Sequence, residues 1–264
     1  MTYPAVRRAL NALRISWMVP TIVVLTVALY PLSAISNRLH YRPGQQIIPQ
    51  LYHRILCTLL GLDISTIGKA SSRRPLMIVS NHASWLDILV ISSRLPAIFV
   101  AREDAANWPM FGRLAKLQRS IFVDRIRRQK LPQALERISR YLISGEVVVL
   151  FPEGTSTDGT HVLPFRSALI GSAQEAIHGA ARLPEVCIQP ASLAYTGINR
   201  RQAVWARDDE IDLVAHLLQV IGLRRIEVVL TWGDPISFTA DSDRKAITKQ
   251  AEATVRKLTT QALK

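Results

Sequence analysis

Cysteine is scarce in this chain: Cys57 and Cys187 are the two among 264 residues, and they lie far apart in no paired motif. A disulfide framework and a cysteine-based zinc module are therefore excluded, and both thiols are expected to be reduced, as in the cytoplasm. The histidines at positions 40, 53, 161 and 178 are scattered and predict no metal centre. A Gly-x-Ser-x-Gly nucleophile elbow is also missing.

Acidic residues are few, because 20 Asp and Glu stand against 33 Lys and Arg and give a formal net charge of +13. Such a charge suits nucleic acid, an anionic membrane surface or an anionic substrate. The chain has no RNA-binding signature, zinc-finger spacing or basic zipper, so nucleic acid is not predicted as a partner. A basic protein tethered to lipid gains about 1 kcal/mol for each Lys or Arg near an anionic leaflet.

Charged residues are absent from positions 15–37, although 20% of the chain is charged. About 20 apolar residues cross a bilayer core, so this run is long enough to span a membrane. Pro20 and Pro31 interrupt it, which leaves a bent or re-entrant helix as the alternative. Arginines flank the run on both sides and give no orientation. The sequence therefore predicts the lipid bilayer as a partner.

The residues that follow this run predict a second, shorter apolar segment. Positions 41–49 contain Pro, Gly and Gln and are predicted to form the turn that leaves the first helix. Positions 51–62 are too few to span, and we expect them to pack beside the first helix or to lie in the membrane interface. We predict membrane-anchoring helices over 1–65, as one helix or a helical hairpin, and a single globular domain over 66–264.

Short apolar runs alternate with longer helical patterns in the rest of the chain. Several runs are apolar throughout, as in strands of a sheet that is covered on both faces. The predicted strands are Leu76–Ser80, 97–101, 120–123, 147–151, 186–194 and Ile226–Trp232, and one of the helices between them is predicted over 105–117. This alternation predicts an α/β fold with a mostly parallel sheet flanked by helices. In such folds the chemistry gathers where strands end and helices begin.

The segment after the first predicted strand, at positions 81–87, reads Asn-His-Ala-Ser-Trp-Leu-Asp. A His–Asp pair supplies an imidazole that takes a proton and a carboxylate that fixes its tautomer. On one helix, a spacing of five would leave the two side chains about 140° apart. The pair works only if His82 precedes the helix and Asp87 lies in its first turn, which the capping pattern Ser84-x-x-Asp87 supports. The alternative is a plain helix cap beside a buried histidine.

Two further segments follow other predicted strands. Positions 151–156 read Phe-Pro-Glu-Gly-Thr-Ser, in which Gly154 permits close backbone approach and Thr155 offers a donor to a phosphate or an oxyanion. The alternative there is a polar turn. Arg102 and Arg125 end two other runs, where a guanidinium is suited to bidentate binding of phosphate. Their alternative is a solvated basic patch.

The order of these segments resembles the glycerolipid acyltransferase family, which includes bacterial 1-acyl-glycerol-3-phosphate acyltransferases. The shared order is Asn-His-x-x-x-x-Asp, Phe-Val-Asp-Arg, Phe-Pro-Glu-Gly-Thr and an apolar strand ending in Pro, over roughly residues 76–236. The resemblance implies the α/β fold of that family, with His82 as general base and Asp87 as its orienting carboxylate. The predicted substrate-binding residues are Arg125, Glu153, Gly154, Thr155 and Arg102.

The implied reaction moves a fatty acyl group from acyl-CoA or acyl carrier protein to the hydroxyl of 1-acyl-sn-glycerol-3-phosphate, which gives phosphatidate. His82 takes the hydroxyl proton as the oxygen attacks the thioester. No metal, cofactor or covalent acyl-enzyme is expected, since the thioester is a co-substrate. The expected location is the cytoplasmic face of a bacterial inner membrane, with 66–264 as the catalytic domain.

Several features leave alternatives open. Trp205, Asp208 or Asp209, and His216 resemble a Trp-x-x-Asp…His-Leu stretch of acyltransferases that finish ornithine lipids, so a lyso-ornithine lipid is the second candidate acceptor. The family often has Lys where Arg102 stands, and Ile-Gln-Pro-Ala at 188–191 is looser than the usual Val-Pro-Val. An inactive membrane scaffold and a His–Asp phosphatase or esterase are the alternatives from other classes.

Overall fold

A computed structural model describes residues 4–108, 111–124, 127–179, 183–206 and 212–264. The helices are α1 (Pro4–Arg38), α2 (Arg42–Leu60), α3 (Leu86–Arg94), α4 (Phe111–Leu117), α5 (Leu131–Ile143), α6 (Gly171–His178), α7 (Arg200–Ala203), α8 (Leu213–Gly222) and α9 (Arg244–Ala262). The strands are β1 (Leu62–Ile67), β2 (Leu76–Ser80), β3 (Ile98–Arg102), β4 (Ile121–Val123), β5 (Val147–Leu150), β6 (Val186–Thr196), β7 (Ile226–Trp232) and β8 (Ile236–Phe238). Two 3-10 helices cover Glu103–Asn107 and Arg128–Lys130.

The strands form one sheet in the order β1-β7-β6-β2-β5-β3-β4, with β8 paired to β6. β2 pairs in parallel with β5 and β6, and β3 pairs in parallel with β5 and β4. β6 pairs antiparallel with β7 and β8, and β7 pairs in parallel with β1. The predicted mostly parallel sheet flanked by helices is confirmed.

The core has two parts, one on each face of the sheet. Leu76 and Ile78 of β2 join a cluster formed with α1, α2, α3 and α8. Met77 and Val79, which point the other way, join a cluster formed with α5, α6 and α9. This alternation fixes the register of β2, because a slip of one residue would exchange the two faces. Because β2, β3, β4 and β5 run parallel, their carboxyl ends meet along one edge of the sheet.

The predicted turn over 41–49 is wrong, because α2 begins at Arg42. Pro43 lies in the first turn of α2, where the missing N–H of proline costs nothing. Gly44 is buried against α1, and a Cβ at Gly44 would lie 2.2 Å from the Ser36 Oγ. The proline and the glycine thus serve the start of a helix and the close packing of two helices.

Strand β1 was not predicted, and neither was β8. β1 lies at the edge of the sheet beside β7, and most of its residues are exposed, so its sequence lacks the apolar run that marks the inner strands. The helix predicted over 105–117 is divided into a 3-10 helix and α4. The division into 1–65 and 66–264 stays a prediction, and its boundary falls within β1.

Helix α1 contains the predicted apolar segment. Asn11–Arg38 is long and apolar enough to cross a membrane, by length and composition, and only 11% of its most apolar window is buried. The helix continues through Pro20 and Pro31. The predicted N-terminal apolar helix is confirmed, and its exposed side leaves a large apolar surface.

Helices α1 and α4 both end at a left-handed residue that is not glycine. His40 follows α1 with φ of 52°, and Arg119 follows α4 with φ of 59°. In both turns the next residue donates its N–H to the carbonyl five residues earlier, at 2.9 Å. Glycine is the usual residue at this position, since a Cβ costs about 1 kcal/mol there.

His40→Gly is expected to raise the melting temperature by about 2–4 °C, because glycine relieves the left-handed backbone. Gly61→Ala is the matched reverse change and is expected to lower it, since φ at Gly61 is 75° and the new Cβ would lie 2.5 Å from the Arg224 carbonyl oxygen. Circular dichroism of the detergent-solubilised chain measures both. A lower melting temperature for His40→Gly would contradict the strain.

Candidate active site

The loop after β2 is fixed to the sheet by the buried side chain of Asn81. Its Nδ2 donates to the Leu193 carbonyl at 2.8 Å, and its Oδ1 accepts the Leu193 N–H at 2.8 Å. These two bonds continue the pairing of β2 with β6 by one step, with a side chain in place of backbone. His82 therefore starts from a fixed point at the carboxyl end of the central strand.

His82 and Asp87 form the predicted pair, with 2.8 Å between Nδ1 and Oδ2. Asp87 lies in the first turn of α3 and His82 precedes that helix, so the condition set by their spacing is met. The His82 side chain is 23% exposed, whereas that of Asp87 is fully buried. Because Nδ1 faces the carboxylate, it carries the proton, and Nε2 is the atom that accepts another. The imidazole stacks on Phe151 with 4.2 Å between centroids.

Asp87 has further donors besides His82. Its Oδ2 accepts the N–H groups of Ala83 at 2.8 Å and Ser84 at 3.0 Å, and its Oδ1 accepts the Tyr195 hydroxyl at 2.7 Å. Burial, together with the nearby carboxylate, raises the pKa of Tyr195 well above its usual range, so the phenol stays a donor. Asp87 is thus both a helix cap and the partner of His82.

Glu153 follows β5 and is 3% exposed. Its Oε1 accepts the backbone N–H of His82 and its Oε2 accepts the backbone N–H of Leu163, both at 2.7 Å. Burial raises the pKa of Glu153 to about 7, although these two donors act in the opposite direction. With both oxygens occupied by backbone N–H groups, Glu153 positions the backbone of His82, and its predicted contact with the acceptor stays a prediction.

A groove of about 660 Å³ opens beside this loop and contains three of the predicted substrate-binding residues, Arg102, Gly154 and Thr155. Gly154 has a φ of 83° and lies under the Arg166 side chain, 3.4 Å from where its Cβ would stand. The groove is lined by Arg102, Glu103, Asp104, Asn107, Val123, Asp124, Arg127, Gly154, Thr155 and Arg166. Three residues singled out in the sequence lie outside the described residues: Arg125, Asp208 and Asp209.

A second cavity lies between the groove and Phe151. This cavity, of about 450 Å³, shares Gly154 and Arg166 with the groove and extends to Phe151, on which the imidazole stacks. At the far side, Arg102 makes two hydrogen bonds to Asp104, at 3.0 and 2.7 Å. Charged side chains of both signs thus line the groove beside the His82–Asp87 pair.

Trp205 and His216 support the loop after β2 from another side. The backbone N–H of Trp205 donates to the Ala83 carbonyl at 2.8 Å. The Trp85 indole N–H donates to His216 Nδ1 at 2.9 Å, and His216 Nε2 lies 3.0 Å from the Val204 carbonyl. Since Nδ1 accepts a hydrogen bond, Nε2 carries the proton and donates to that carbonyl. Trp205 and His216 therefore brace the loop that carries His82.

Residues 62–194 match the family model described as Acyltransferase. The chain belongs to the Acyltransferase family. This acyltransferase is 37% identical to a lyso-ornithine lipid O-acyltransferase of Brucella abortus, over 96% of the chain and 97% of that relative. It is 35% identical to a lyso-ornithine lipid O-acyltransferase of Rhizobium meliloti, over 97% of the chain and 89% of that relative.

A crystal structure has the same fold as this acyltransferase. It is the 1-acyl-sn-glycerophosphate acyltransferase of Thermotoga maritima, with a TM-score of 0.58 and 18% identity over 93% of this chain and 97% of that one. The predicted family, fold class and acyltransferase activity are confirmed. At this identity the crystal structure supports the fold alone.

Glu153→Gln is expected to weaken the pH dependence of stability. In the folded acyltransferase Glu153 keeps a proton up to about pH 7 that the unfolded chain releases near 4.5, so the stability present at low pH is lost as the pH rises toward 7. This change amounts to about 3 kcal/mol in the wild type and is absent from the glutamine variant. Melting temperatures at pH 5 and pH 8 measure the difference.

Glu136→Gln, at an exposed position on α5, is the control and is expected to keep the wild-type pH dependence. The glutamine at 153 accepts only one of the two N–H groups, so kcat is expected to fall about tenfold. An unchanged pH dependence in Glu153→Gln would show that this carboxyl titrates as an ordinary surface group.

Proposed function

We propose that this acyltransferase moves a fatty acyl group from acyl-CoA or acyl carrier protein to the hydroxyl of a lyso-ornithine lipid. The observation that carries the proposal is the similarity, along nearly the whole chain, to two lyso-ornithine lipid O-acyltransferases. The catalytic motifs alone put 1-acyl-sn-glycerol-3-phosphate first as acceptor, and these relatives favour the ornithine lipid instead.

The charges of the groove beside Gly154 support this acceptor. Its described lining carries three guanidinium groups and three carboxylates: Arg102, Arg127 and Arg166, and Glu103, Asp104 and Asp124. The balance is notable in a chain with a net charge of +13. A balanced lining matches a zwitterionic amino-acid head group, whereas a phosphate monoester, with about two negative charges, is held better by an excess of cations.

His82 is the proposed general base. The acceptor hydroxyl oxygen attacks the thioester carbonyl while its proton passes to His82 Nε2, and Asp87 stabilises the imidazolium that forms. The tetrahedral intermediate then expels the thiolate, which takes the proton from Nε2, leaving an ester and a free thiol. The reaction needs no metal or prosthetic group, because the thioester is already an activated acyl group.

The oxyanion of that intermediate needs donors from outside the catalytic loop. The N–H groups of His82, Ala83 and Ser84 are donated to the carboxylates of Glu153 and Asp87. These three backbone amides are therefore engaged in holding the site together. We infer that the loop contributes the base, and that the groove contributes the electrostatic stabilisation.

We propose that α1 lies in the plane of one membrane leaflet and does not cross the bilayer. The domain holds it near both ends: Arg14 donates to the Leu59 carbonyl at 3.4 Å, and Asn37 donates to the Leu117 carbonyl at 2.8 Å. Between them, the Thr26 and Tyr52 hydroxyls lie 2.9 Å apart. A helix docked along its length cannot cross about 30 Å of hydrocarbon unless the domain follows it. Location at the cytoplasmic face of the inner membrane is part of the same proposal.

Reconstituted protein offered lyso-ornithine lipid and lysophosphatidate in separate assays, each with acyl-CoA and with acyl carrier protein as donor, is expected to acylate the ornithine lipid. His82→Ala is expected to lower kcat by about a thousandfold or more, since no other base replaces it. His178→Ala, at an exposed histidine, is the control and keeps activity. Product from lysophosphatidate alone would overturn the proposed acceptor, and full activity of His82→Ala would overturn the mechanism.

Asp104→Asn is expected to lower kcat/KM for lyso-ornithine lipid about tenfold, because it removes a carboxylate that can pair with the head-group ammonium. Arg102→Gln is the matched change in the same ion pair and is expected to act on the head-group carboxylate, with a similar loss. The pair is exposed, so both variants keep their melting temperature. Unchanged kcat/KM in both variants would remove the groove from acceptor recognition.

A further inference from the structure

We propose that a second groove, on the edge of the sheet opposite His82, binds the phosphate groups of anionic membrane lipids. This basic groove, of about 700 Å³, lies where α1 ends and α2 begins, beside the ends of α4 and α5. Its lining includes Ser120 and Glu146, which precede β4 and β5, whereas Phe151 follows β5. The basic groove and the catalytic site thus lie at opposite ends of the same parallel strands.

The lining of the basic groove carries an excess of positive charge. It has one carboxylate, Glu146, which is buried and pairs with Arg119 at 2.8 Å. Three further cations, Arg42, Lys116 and Arg137, are exposed. In the part of the chain that the structure describes, no carboxylate forms a salt bridge with any of these three. Their charges are therefore available to an anion.

The backbone shows that the basic groove is built and is not a chance cluster of surface lysines. His40 and Arg119 are the non-glycine residues with positive φ among those described, and both line this groove. Glycine would be the less strained residue at each position. Strain of this kind persists where the surrounding structure needs the side chain, and here two separate helix ends direct such residues into one groove.

The surroundings of the basic groove identify the occupant as a lipid. Ile35, Leu39 and Tyr41 are exposed beside it at the end of α1, and Ile35 and Leu39 share one face of that helix. A phosphate above an apolar surface is the arrangement of a phospholipid at the bilayer interface. This inference rests on the proposed in-plane position of α1, which brings the groove to the depth of the lipid head groups.

The test compares binding of the full chain, purified in detergent, to two kinds of vesicle by flotation. One kind is phosphatidylcholine alone, and the other is equal parts phosphatidylcholine and phosphatidylglycerol. Lys116→Gln with Arg137→Gln is expected to weaken binding to the anionic vesicles about thirtyfold at low salt and to leave binding to neutral vesicles unchanged. Lys249→Gln with Lys257→Gln, two exposed lysines on α9, is the control with the same loss of charge.

Each outcome bears on one part of the inference. An equal loss in both double variants would overturn the basic groove, since the attraction would then be diffuse. Equal binding of the wild type to anionic and neutral vesicles, together with binding of inorganic phosphate that Lys116→Gln with Arg137→Gln abolishes, would overturn the lipid as the ligand and assign the groove to free phosphate. A wild type that does not bind neutral vesicles would overturn the position of α1, and with it the lipid as occupant, whatever the variants do.

Discussion

The buried carboxylate of Asp87 is the interaction on which the rest of the site depends. A carboxylate removed from water costs several kcal/mol unless donors replace its hydration. Here the donors come from the loop after β2, from the His82 imidazole and from Tyr195 near the end of β6. The loop, the first turn of α3 and the sheet must all be in place before the carboxylate is satisfied. The pairing of His82 with Asp87 is therefore a product of the completed fold.

Glu153 and Asn81 extend the same principle to the backbone. Glu153 accepts the backbone N–H of His82, and Asn81 bonds to the backbone of Leu193 in β6, so both polar side chains bond to main chain. Asn81 satisfies itself without charge, whereas Glu153 is buried so deeply that its pKa rises to about 7.

The sequence revealed those parts of the structure that depend on local pattern. β2, β5, β6 and β7 carry apolar runs because helices cover both faces of the sheet, and the pairing of His82 with Asp87 followed from helix geometry and a capping pattern. β1 is polar because it lies at an edge, and so it was missed. Tyr195 was missed because nothing in an apolar strand shows which of its residues will meet a distant carboxylate. The positioning contacts of Glu153 also join segments that only the folded sheet brings together.

The hydrogen bonds of the loop between β2 and α3 also determine how its length can vary. The carboxylate of Asp87 accepts the N–H groups of the residues three and four positions before it, as well as the imidazole five positions before it. One residue inserted or deleted between Ser84 and Asp87 would turn the carboxylate by about 100° around the helix axis relative to these donors and break the bonds to them. The number of residues between His82 and Asp87 is therefore set by helix geometry, and this interval is a fixed length in any chain that pairs the two side chains in this way.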